Sequence, residues 1–338
     1  MMRCIELAKN GLGTTYPNPL VGSVIVHNKI IIGEGWHYKS GNPHAEVNAI
    51  NSVKDQSLLK EATIYVNLEP CSHFGKTPPC ANLILEKGIK KVVIGSMDPN
   101  PKVSGKGIQL LKDHGCDVVQ QILEKECDVL NKRFFTFYNQ KRPYIILKWA
   151  ETVDGIISPK VRIENKPVWI TNNYSRQIVH QWRAEEQAIL IGTNTAIEDN
   201  PSLTTRDWNG NSPIRIVLDR ELKLPPTSAV FNESAKTIII TEKRIENKDH
   251  LIFETMDFSI NIAQQICSMI YRYKIQSLII EGGTKTLQTF IDENLWDEAR
   301  VFRGINEFNE GTKAPTITGN VISENKINQD TLKIILND

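Results

Sequence analysis

The sequence has no long hydrophobic run and no excess of one charge. Its longest apolar stretches, such as Ile238-Ile239-Ile240, fall far short of the roughly 20 residues that a membrane helix needs, so we expect a soluble protein without a membrane partner. The 40 Lys and Arg residues balance the 39 Asp and Glu residues, which leaves a net charge of +1. Because nucleic-acid binding usually shows as a basic excess, we expect no nucleic-acid partner.

The cysteines are few and scattered. All six, at positions 4, 71, 80, 116, 127 and 267, lack the spacing of a disulfide framework. The chain opens with Met1-Met2-Arg3 and shows no secretory signal pattern, so these thiols predict a reducing, cytoplasmic compartment. The sequence also contains no internal repeat, which argues against a duplicated domain.

The pattern of apolar residues predicts two α/β domains. A length of 338 residues exceeds the usual size of one domain, and the polar run before Pro143 predicts a boundary between domains 1–142 and 143–338. In the first domain, strands are predicted at 21–26, 30–32, 63–68, 91–96 and 117–120, and helices at 2–12, 44–50, 80–86, 106–113 and 123–139. In the second, strands are predicted at 144–148, 187–191, 214–218, 237–241 and 277–280, and helices at 175–186, 261–273 and 284–295.

Two short motifs in the first half carry metal-binding residue types. His44 and Glu46 open a predicted helix behind Pro43, and Cys71 and Cys80 flank a loop. The pattern His-x-Glu followed by Pro-Cys-x-x-Cys is the signature of zinc deaminases, whose Glu is not a metal ligand. A catalytic zinc site has three protein ligands plus water. We therefore expect His44, Cys71 and Cys80 to bind Zn²⁺, although the loop between the cysteines is longer than the general pattern allows.

The expected chemistry gives each of these residues a role. Zinc lowers the pKa of bound water toward about 7, which yields a hydroxide at neutral pH. Glu46 can take a proton from that water and return it to the departing ammonia. Two alternatives stay open from the residues alone: a structural zinc site with His73 as a fourth ligand, and buried cysteines beside an ordinary helix-cap glutamate.

Longer strings around these motifs resemble one family. The strings at 16–22, 43–46 and 69–80 are similar to those of the bifunctional riboflavin biosynthesis deaminase/reductases, in which the long cysteine loop is normal. The resemblance implies a cytidine-deaminase-like α/β/α sandwich that removes an amino group from a phosphoribosyl pyrimidine. It also implies substrate contacts by Asn18, His37, His73 and Lys76. Asn18 can hydrogen-bond a ring edge and Lys76 can pair with phosphate, but Asn18 between two prolines is also an ordinary turn residue.

The second half lacks the dinucleotide fingerprint G-x-G-x-x-G, so a Rossmann site is not indicated. Instead, Glu281-Gly282-Gly283 follows a predicted strand and opens a helix whose free N–H groups could hold a phosphate. Two glycines at such a turn are also common in a plain tight connection. The residues alone leave both readings open.

The resemblance extends through this half, at 148–150, 154–155, 169–171, 183–184, 192–195, 199–206 and 281–283. It implies a dihydrofolate-reductase-like α/β domain that transfers a hydride from NADPH to C1 of the sugar, and a homodimer formed through this domain. The implied NADPH contacts are Ala150, Trp169, Thr195, Asp199, Gly282, Gly283, Thr284, Lys285, Thr286 and Leu287. The implied substrate contacts are Arg183, Leu203, Arg206 and Glu281. Lys148 and Asp154 are candidate proton donors, but a lysine that ends a strand is just as readily a solvated charge, and an aspartate before a glycine is just as readily a turn residue. Pro167 stands where the family often has a serine.

Three other functions compete with this interpretation. A nucleic-acid base deaminase would share the zinc chemistry, but the near-zero charge, the long cysteine loop and the reductase-like half argue against it. A scaffold protein with a structural zinc would need no proton-carrying Glu46. A deaminase with an inactive second domain is disfavoured because Arg183, Asp199, Arg206 and Glu281 are all present.

Overall fold

The chain folds into two compact units, Met1–Lys141 and Arg142–Asp338. A computed structural model describes residues 1–72, 78–162 and 168–337. Helices and strands alternate in both units, so the predicted α/β class is confirmed. Over the part of the chain that is described, no helix combines the length and the hydropathy of a membrane span.

The first unit is built on one sheet, which has five strands within the described residues. The strands are β1 (Gly22–His27), β2 (Ile30–Trp36), β3 (Thr63–Leu68), β4 (Lys91–Ser96) and β5 (Asp117–Val119). The helices are α1 (Met2–Lys9), α2 (Ala45–Ser52), α3 (Cys80–Glu86), α4 (Lys106–Asp113), α5 (Glu124–Leu130) and α6 (Lys132–Gln140), with a short 3-10 helix at Gln56–Lys60. The strand order is β2-β1-β3-β4-β5, with β3, β4 and β5 parallel and β1 antiparallel to its two neighbours.

Helices cover both faces of this sheet because successive side chains of a strand point to opposite sides. On β1, Val24 packs against α1, whereas Ile25 packs into the core shared with α2, α3 and α4. One predicted element is wrong in detail: the helix predicted over 123–139 is two helices, and Asn131 separates them.

The second unit also has one large sheet. Its strands are β6 (Tyr144–Glu151), β7 (Ile156–Pro159), β8 (Ala188–Gly192), β9 (Ile214–Leu218), β10 (Thr237–Thr241), β11 (Leu251–Thr255), β12 (Ser277–Glu281), β13 (Glu298–Arg303), β14 (Gly311–Lys313), β15 (Asn320–Ile327) and β16 (Asp330–Leu336). Its helices are α7 (Asn173–Glu185), α8 (Thr193–Asp199), α9 (Ile262–Arg272) and α10 (Thr284–Asp292), with a 3-10 helix at Ala229–Phe231. The apolar pattern of the sequence did not predict β7, β11, α8 or the strands from β13 onward.

The order across this sheet is β11-β10-β9-β8-β12-β6-β13-β16-β15, and β7 pairs separately with β14. Neighbours from β11 to β13 are parallel, whereas β16 and β15 are antiparallel. Ile145, Ile146 and Leu147 of β6 are all fully buried, as expected for a strand covered on both faces. The carboxyl ends of β6, β12, β8 and β9 meet at one edge, where open α/β sheets bind ligands.

Candidate active sites

Three side chains of the first unit bring metal-binding atoms together beyond the carboxyl end of β3. His44 immediately precedes α2, Cys71 follows β3 after two intervening residues, and Cys80 opens α3. Nδ1 of His44 lies 3.6 Å from Sγ of Cys71 and 3.3 Å from Sγ of Cys80, and all three ligand atoms lie within 4.8 Å of one another. One imidazole and two thiols at this spacing form a donor set that suits Zn²⁺.

The two thiols differ in how readily they lose a proton. Hydrogen bonds from the Cys80 thiol and from His44 outweigh burial and lower the pKa of Cys71 to about 4. The contact with Cys71, together with burial, raises the pKa of Cys80. The contact between the two sulfurs thus favours loss of one proton from the pair, and a bound metal ion would require both sulfurs to be thiolates.

Glu46 is buried next to this cluster. It lies in the first turn of α2, is 3 % exposed, and interacts with the Cys80 thiol. Burial raises the pKa of its carboxyl group. A carboxyl group with a raised pKa suits a residue that takes up and releases a proton near neutral pH.

His37 and Asn18 form a hydrogen-bonded pair beside the metal ligands. Nδ1 of His37 lies 3.1 Å from the carbonyl oxygen of Pro43, which can only accept, so Nδ1 carries the proton. Nε2 is then the acceptor for Nδ2 of Asn18 at 3.0 Å, and burial lowers the pKa of the ring. The His37 ring lies 5.3 Å from the ring of His44. This arrangement leaves Oδ1 of Asn18 as an acceptor for a ligand.

The second unit has a cavity of about 950 Å³ at the carboxyl ends of β6, β8, β9 and β12. Most residues predicted to contact NADPH or its substrate line it: Lys148, Ala150, Trp169, Arg183, Thr195, Asp199, Leu203, Arg206, Glu281, Gly282, Gly283, Thr284, Lys285 and Thr286. Phe258, Ile262 and Ile266 add an apolar wall near α9. A cavity of this size and lining can hold a cofactor together with a small substrate.

Glu281 joins two cations in this cavity. Its Oε2 lies 2.8 Å from Nη2 of Arg183, and its Oε1 lies 3.8 Å from Nζ of Lys148. Burial alone would raise the pKa of Glu281, but the two cations lower it to about 2, so the carboxylate is charged at neutral pH. Burial lowers the pKa of Lys148. Nε of Arg183 is buried without a hydrogen-bond partner among the described residues, which leaves a donor for a ligand.

The turn before α10 leaves open space at two glycines. A Cβ added at Gly282 or Gly283 would meet no atom closer than 3.7 Å, and neither residue has the left-handed conformation. The fold itself therefore does not require glycine there, whereas a ligand that lay on the backbone of the turn would require the absence of side chains. Free N–H groups at the start of a helix bind phosphate, so this bare turn fits the pyrophosphate of NADPH.

Comparison with known proteins identifies both halves. The family described as "RibD C-terminal domain" matches residues 143–306, and the "Cytidine and deoxycytidylate deaminase zinc-binding region" matches residues 1–96. The "Riboflavin biosynthesis protein RibD" of Aquifex aeolicus is 42 % identical over 307 residues, covering 89 % of this chain and 85 % of that protein. The chain belongs to the RibD family.

Solved RibD structures share the fold over the whole chain. The Thermotoga maritima diaminohydroxyphosphoribosylaminopyrimidine deaminase/5-amino-6-(5-phosphoribosylamino)uracil reductase is 38 % identical with a TM-score of 0.90, covering 100 % of this chain and 97 % of that one. The RibD of Acinetobacter baumannii is 32 % identical with a TM-score of 0.88, covering 99 % and 97 %.

The chain is therefore a bifunctional enzyme of riboflavin biosynthesis, with a zinc-binding deaminase half and a reductase half. The predictions of family, two-domain fold and dual activity are confirmed. Membership of the RibD family also confirms Zn²⁺ and NADPH as the predicted cofactors. The alternatives of a scaffold protein and of a nucleic-acid base deaminase do not fit this family.

The structure does not place every residue that the RibD resemblance implied at one of the two sites. His73, Lys76 and Pro167 fall outside the described residues. Asp154 is exposed, does not line the cavity, and accepts backbone hydrogen bonds from the loop after β13. Leu287 lies fully buried in the hydrophobic core, away from the cavity lining.

Several charged groups at the two sites were not predicted from the sequence. In the deaminase half, burial is the main reason that the pKa of Asp98 rises to about 7, and nearby Glu69 and Cys71 add to this effect. In the reductase cavity, Nη1 of Arg162 lies 2.6 Å from Oδ1 of Asp199.

His180 is a further residue of the reductase cavity that was missed. Its Nδ1 accepts a hydrogen bond from the backbone N of Arg206 at 3.0 Å. It precedes Arg183 by three positions on α7, so the i, i+3 spacing was the signal that could have revealed it.

Proposed function

We propose that residues 1–142 deaminate 2,5-diamino-6-(5-phosphoribosylamino)pyrimidin-4(3H)-one and that residues 143–338 then use NADPH to reduce the ribosyl group of 5-amino-6-(5-phosphoribosylamino)uracil to ribityl. The T. maritima relative carries both activities in its name. The observation that carries the proposal is a buried acid, Glu46, next to three convergent zinc ligands. The cavity with the bare glycine turn supports the second step.

In the deamination, His44, Cys71 and Cys80 hold Zn²⁺ and Glu46 moves the proton. Bound zinc lowers the pKa of its water to about 7. Glu46 accepts a proton from the attacking water and delivers it to the amino group, which leaves as ammonia while oxygen remains on the ring. Its burial keeps bulk water from competing for this proton.

The proposed substrate contacts of this half are Asn18, His37, His73 and Lys76. The amide NH₂ of Asn18 donates to Nε2 of His37. The other amide atom, Oδ1, is therefore the one that accepts a hydrogen bond from a ring N–H or an amino group of the substrate. Lys76 pairs with the phosphate. His73 lies in the same loop, close in sequence to Cys71.

The test of the deaminase proposal is Glu46→Gln. We expect the rate of ammonia release from the phosphoribosyl pyrimidine to fall by at least ~100-fold, because the amide cannot carry the proton. Zinc content, measured by atomic absorption, should stay at the wild-type level because Glu46 is not a ligand. Normal deamination by this variant would contradict the proposal, and so would full zinc retention in Cys71→Ser.

In the reduction, Arg183 and Arg206 hold the substrate phosphate, and Leu203 and Glu281 complete the substrate site. Ala150, Trp169, Thr195, Asp199 and the turn at 282–287 hold NADPH. The sugar C1 gains a hydride, and the ring oxygen that leaves C1 gains a proton. Lys148 is the proposed source of this proton, since it lies in the cavity with a lowered pKa, whereas Asp154 does not line the cavity.

Lys148→Met and Asp154→Asn test this choice. We expect Lys148→Met to lose NADPH oxidation with the deaminated substrate by at least ~100-fold, and Asp154→Asn to keep most of it. Ammonia release should be unchanged in both. A larger loss of NADPH oxidation in Asp154→Asn than in Lys148→Met would make Asp154 the proton donor instead of Lys148. A wild-type chain that releases ammonia without oxidising NADPH would contradict the proposal of two activities.

The proposed assembly is a homodimer through the reductase half in the cytoplasm, without nucleic acid. Support comes from β15, an edge strand of the described sheet on which Val321 and Ile322 are half exposed, because such edges pair readily. All six cysteines are free thiols, which suits a reducing compartment. Sedimentation equilibrium gives the mass directly, and a monomer at micromolar concentration would contradict the dimer.

A further inference from the structure

Glu69 binds four backbone N–H groups with one buried carboxylate. It directly follows β3, lies two residues before Cys71, and is 4 % exposed. Its Oε2 accepts from Gly105 at 2.9 Å and Asp98 at 3.3 Å, and its Oε1 accepts from Gly107 at 2.9 Å and Ile108 at 3.2 Å.

These donors belong to the beginning of α4 and to the segment before it. The first turn of a helix leaves N–H groups without partners inside the helix and carries partial positive charge. A carboxylate is therefore a stronger acceptor there than a neutral oxygen. Glu69 in this way joins the end of β3 to the start of α4.

The backbone that leads from Glu69 to Cys71 is held on two sides. A Cβ at Gly107 would lie only 2.0 Å from the carbonyl oxygen of Pro70, so α4 packs directly on this backbone. On the other side, the carbonyl oxygen of Cys71 accepts a hydrogen bond from N of Ala81 in α3 at 3.1 Å. The position of the Cys71 sulfur thus depends on both helices.

We propose that Glu69 is a positioning residue that fixes the Cys71 ligand, and thereby the affinity and geometry of the metal site. The proposal rests on the assignment of His44, Cys71 and Cys80 as zinc ligands. Glu69 touches neither metal nor substrate. Its loss should therefore act on zinc binding and on kcat of deamination, with little effect on the KM for the pyrimidine.

The experiment is Glu69→Gln, which keeps the shape but turns an NH₂ group toward two N–H donors. We expect zinc affinity, measured by competition with a chelator, to fall by about 10- to 100-fold, as found when groups that orient metal ligands are replaced. The absorption bands of the Co²⁺-substituted protein should shift, and reductase kinetics should stay at the wild-type level. Wild-type zinc affinity and Co²⁺ bands in the folded variant would overturn the proposal.

Two further variants complete the design. Glu69→Asp keeps the charge on a shorter arm, so its zinc affinity should lie between those of wild type and Glu69→Gln; wild-type affinity would count against the proposal even if Glu69→Gln fails to fold. Glu86→Gln, exposed on α3, is the matched control and should bind zinc normally. Failure of the underlying assignment would show separately, as full zinc binding by Cys71→Ser.

Discussion

At the scale of single residues, His180 is a neutral ring that lies among arginines and holds the backbone of one of them. Burial is the main cause that lowers its pKa to about 4, and the adjacent Arg183 lowers it further. The ring is therefore uncharged at neutral pH, and its Nδ1 can accept the backbone N–H of Arg206. A neutral acceptor here holds the backbone of Arg206, the residue proposed to bind the substrate phosphate, without adding a further charge to the cavity.

This lowered pKa makes the stability of the reductase unit depend on pH. The folded chain binds the His180 proton less tightly than the unfolded chain, whose pKa is near 6.5, so stability is complete above pH 6.5 and declines as the pH falls toward 4. In His180→Asn, Oδ1 replaces the acceptor and nothing titrates. Between pH 7 and pH 4.5 we expect wild type to lose on the order of 2 kcal/mol more unfolding free energy than the variant.

Urea unfolding followed by tryptophan fluorescence at several pH values measures this difference. The quantity compared is the slope of unfolding free energy against pH. A variant that is less stable than wild type at every pH therefore does not affect the test. Equal slopes for the two proteins would show that His180 is not neutral in the folded state.

The zinc residues could be predicted because their chemistry limits them to few residue types at a recognisable spacing. His44, Glu46 and the cysteines stand out in the sequence for that reason. Glu69 could not be recognised in the same way, since its partners are backbone groups that any sequence supplies. The Arg162–Asp199 pair joins side chains 37 positions apart, a contact that depends on the fold.

At the scale of elements, Asn131 explains why one long predicted helix is two. Its Oδ1 accepts the N–H of Leu20 at 2.8 Å and its Nδ2 donates to the carbonyl oxygen of Leu20 at 2.9 Å. Asn67 donates to the same oxygen at 3.0 Å and accepts the N–H of Gly22 at 2.7 Å. These two buried amides hold Leu20 and Gly22, which follow Asn18 in the chain. The residue between α5 and α6 therefore helps to position Asn18 at the candidate deaminase site.

Replacement of Asn131 by Ala should therefore affect both stability and substrate binding. The buried N–H of Leu20 loses its partner, while its carbonyl oxygen keeps only the hydrogen bond from Asn67, so we expect about 1–3 kcal/mol lower unfolding free energy. The KM for the pyrimidine should rise several-fold because Asn18 is held less firmly. Chemical denaturation and steady-state ammonia release measure the two effects.

Asn51→Ala, on the exposed side of α2, is the control and should change stability by no more than about 0.5 kcal/mol. An Asn131→Ala protein with wild-type KM would show that the clamp on Leu20 does not reach the substrate site.

Two of the strands that were not predicted have side chains that break the simple patterns. On β13, Glu298 and Arg300 form a buried ion pair at 2.6 Å, so charges stand where a strand normally has apolar residues. The edge strand β15 is mostly exposed and polar, and nothing in its composition separates it from a loop. The central strands were predictable because burial on both faces requires unbroken apolar runs.

At the scale of the whole molecule, each activity draws its residues from one unit. The zinc cluster lies within Met1–Lys141 and the cavity lining lies within Arg142–Asp338. A defect in one site should therefore leave the other intact.

An equimolar mixture of Glu46→Gln and Lys148→Met proteins should accordingly convert the diamino pyrimidine to the ribityl product, because the intermediate can diffuse from one protein to the other. Each variant alone should give at least ~100-fold less ribityl product than wild type, measured by chromatography. If the mixture also fails while wild type succeeds, both sites must be active within the same chain.

The position of β6 has a consequence for how the chain is made. This strand is the first of its sheet to leave the ribosome, yet its neighbours β12 and β13 begin only at residues 277 and 298. Domains generally fold as units from the N-terminus during synthesis. The deaminase half can therefore fold while β6, an apolar strand of the reductase half, still has no strand to pair with. We expect the risk of misassembly to be greater for the reductase half of the nascent chain.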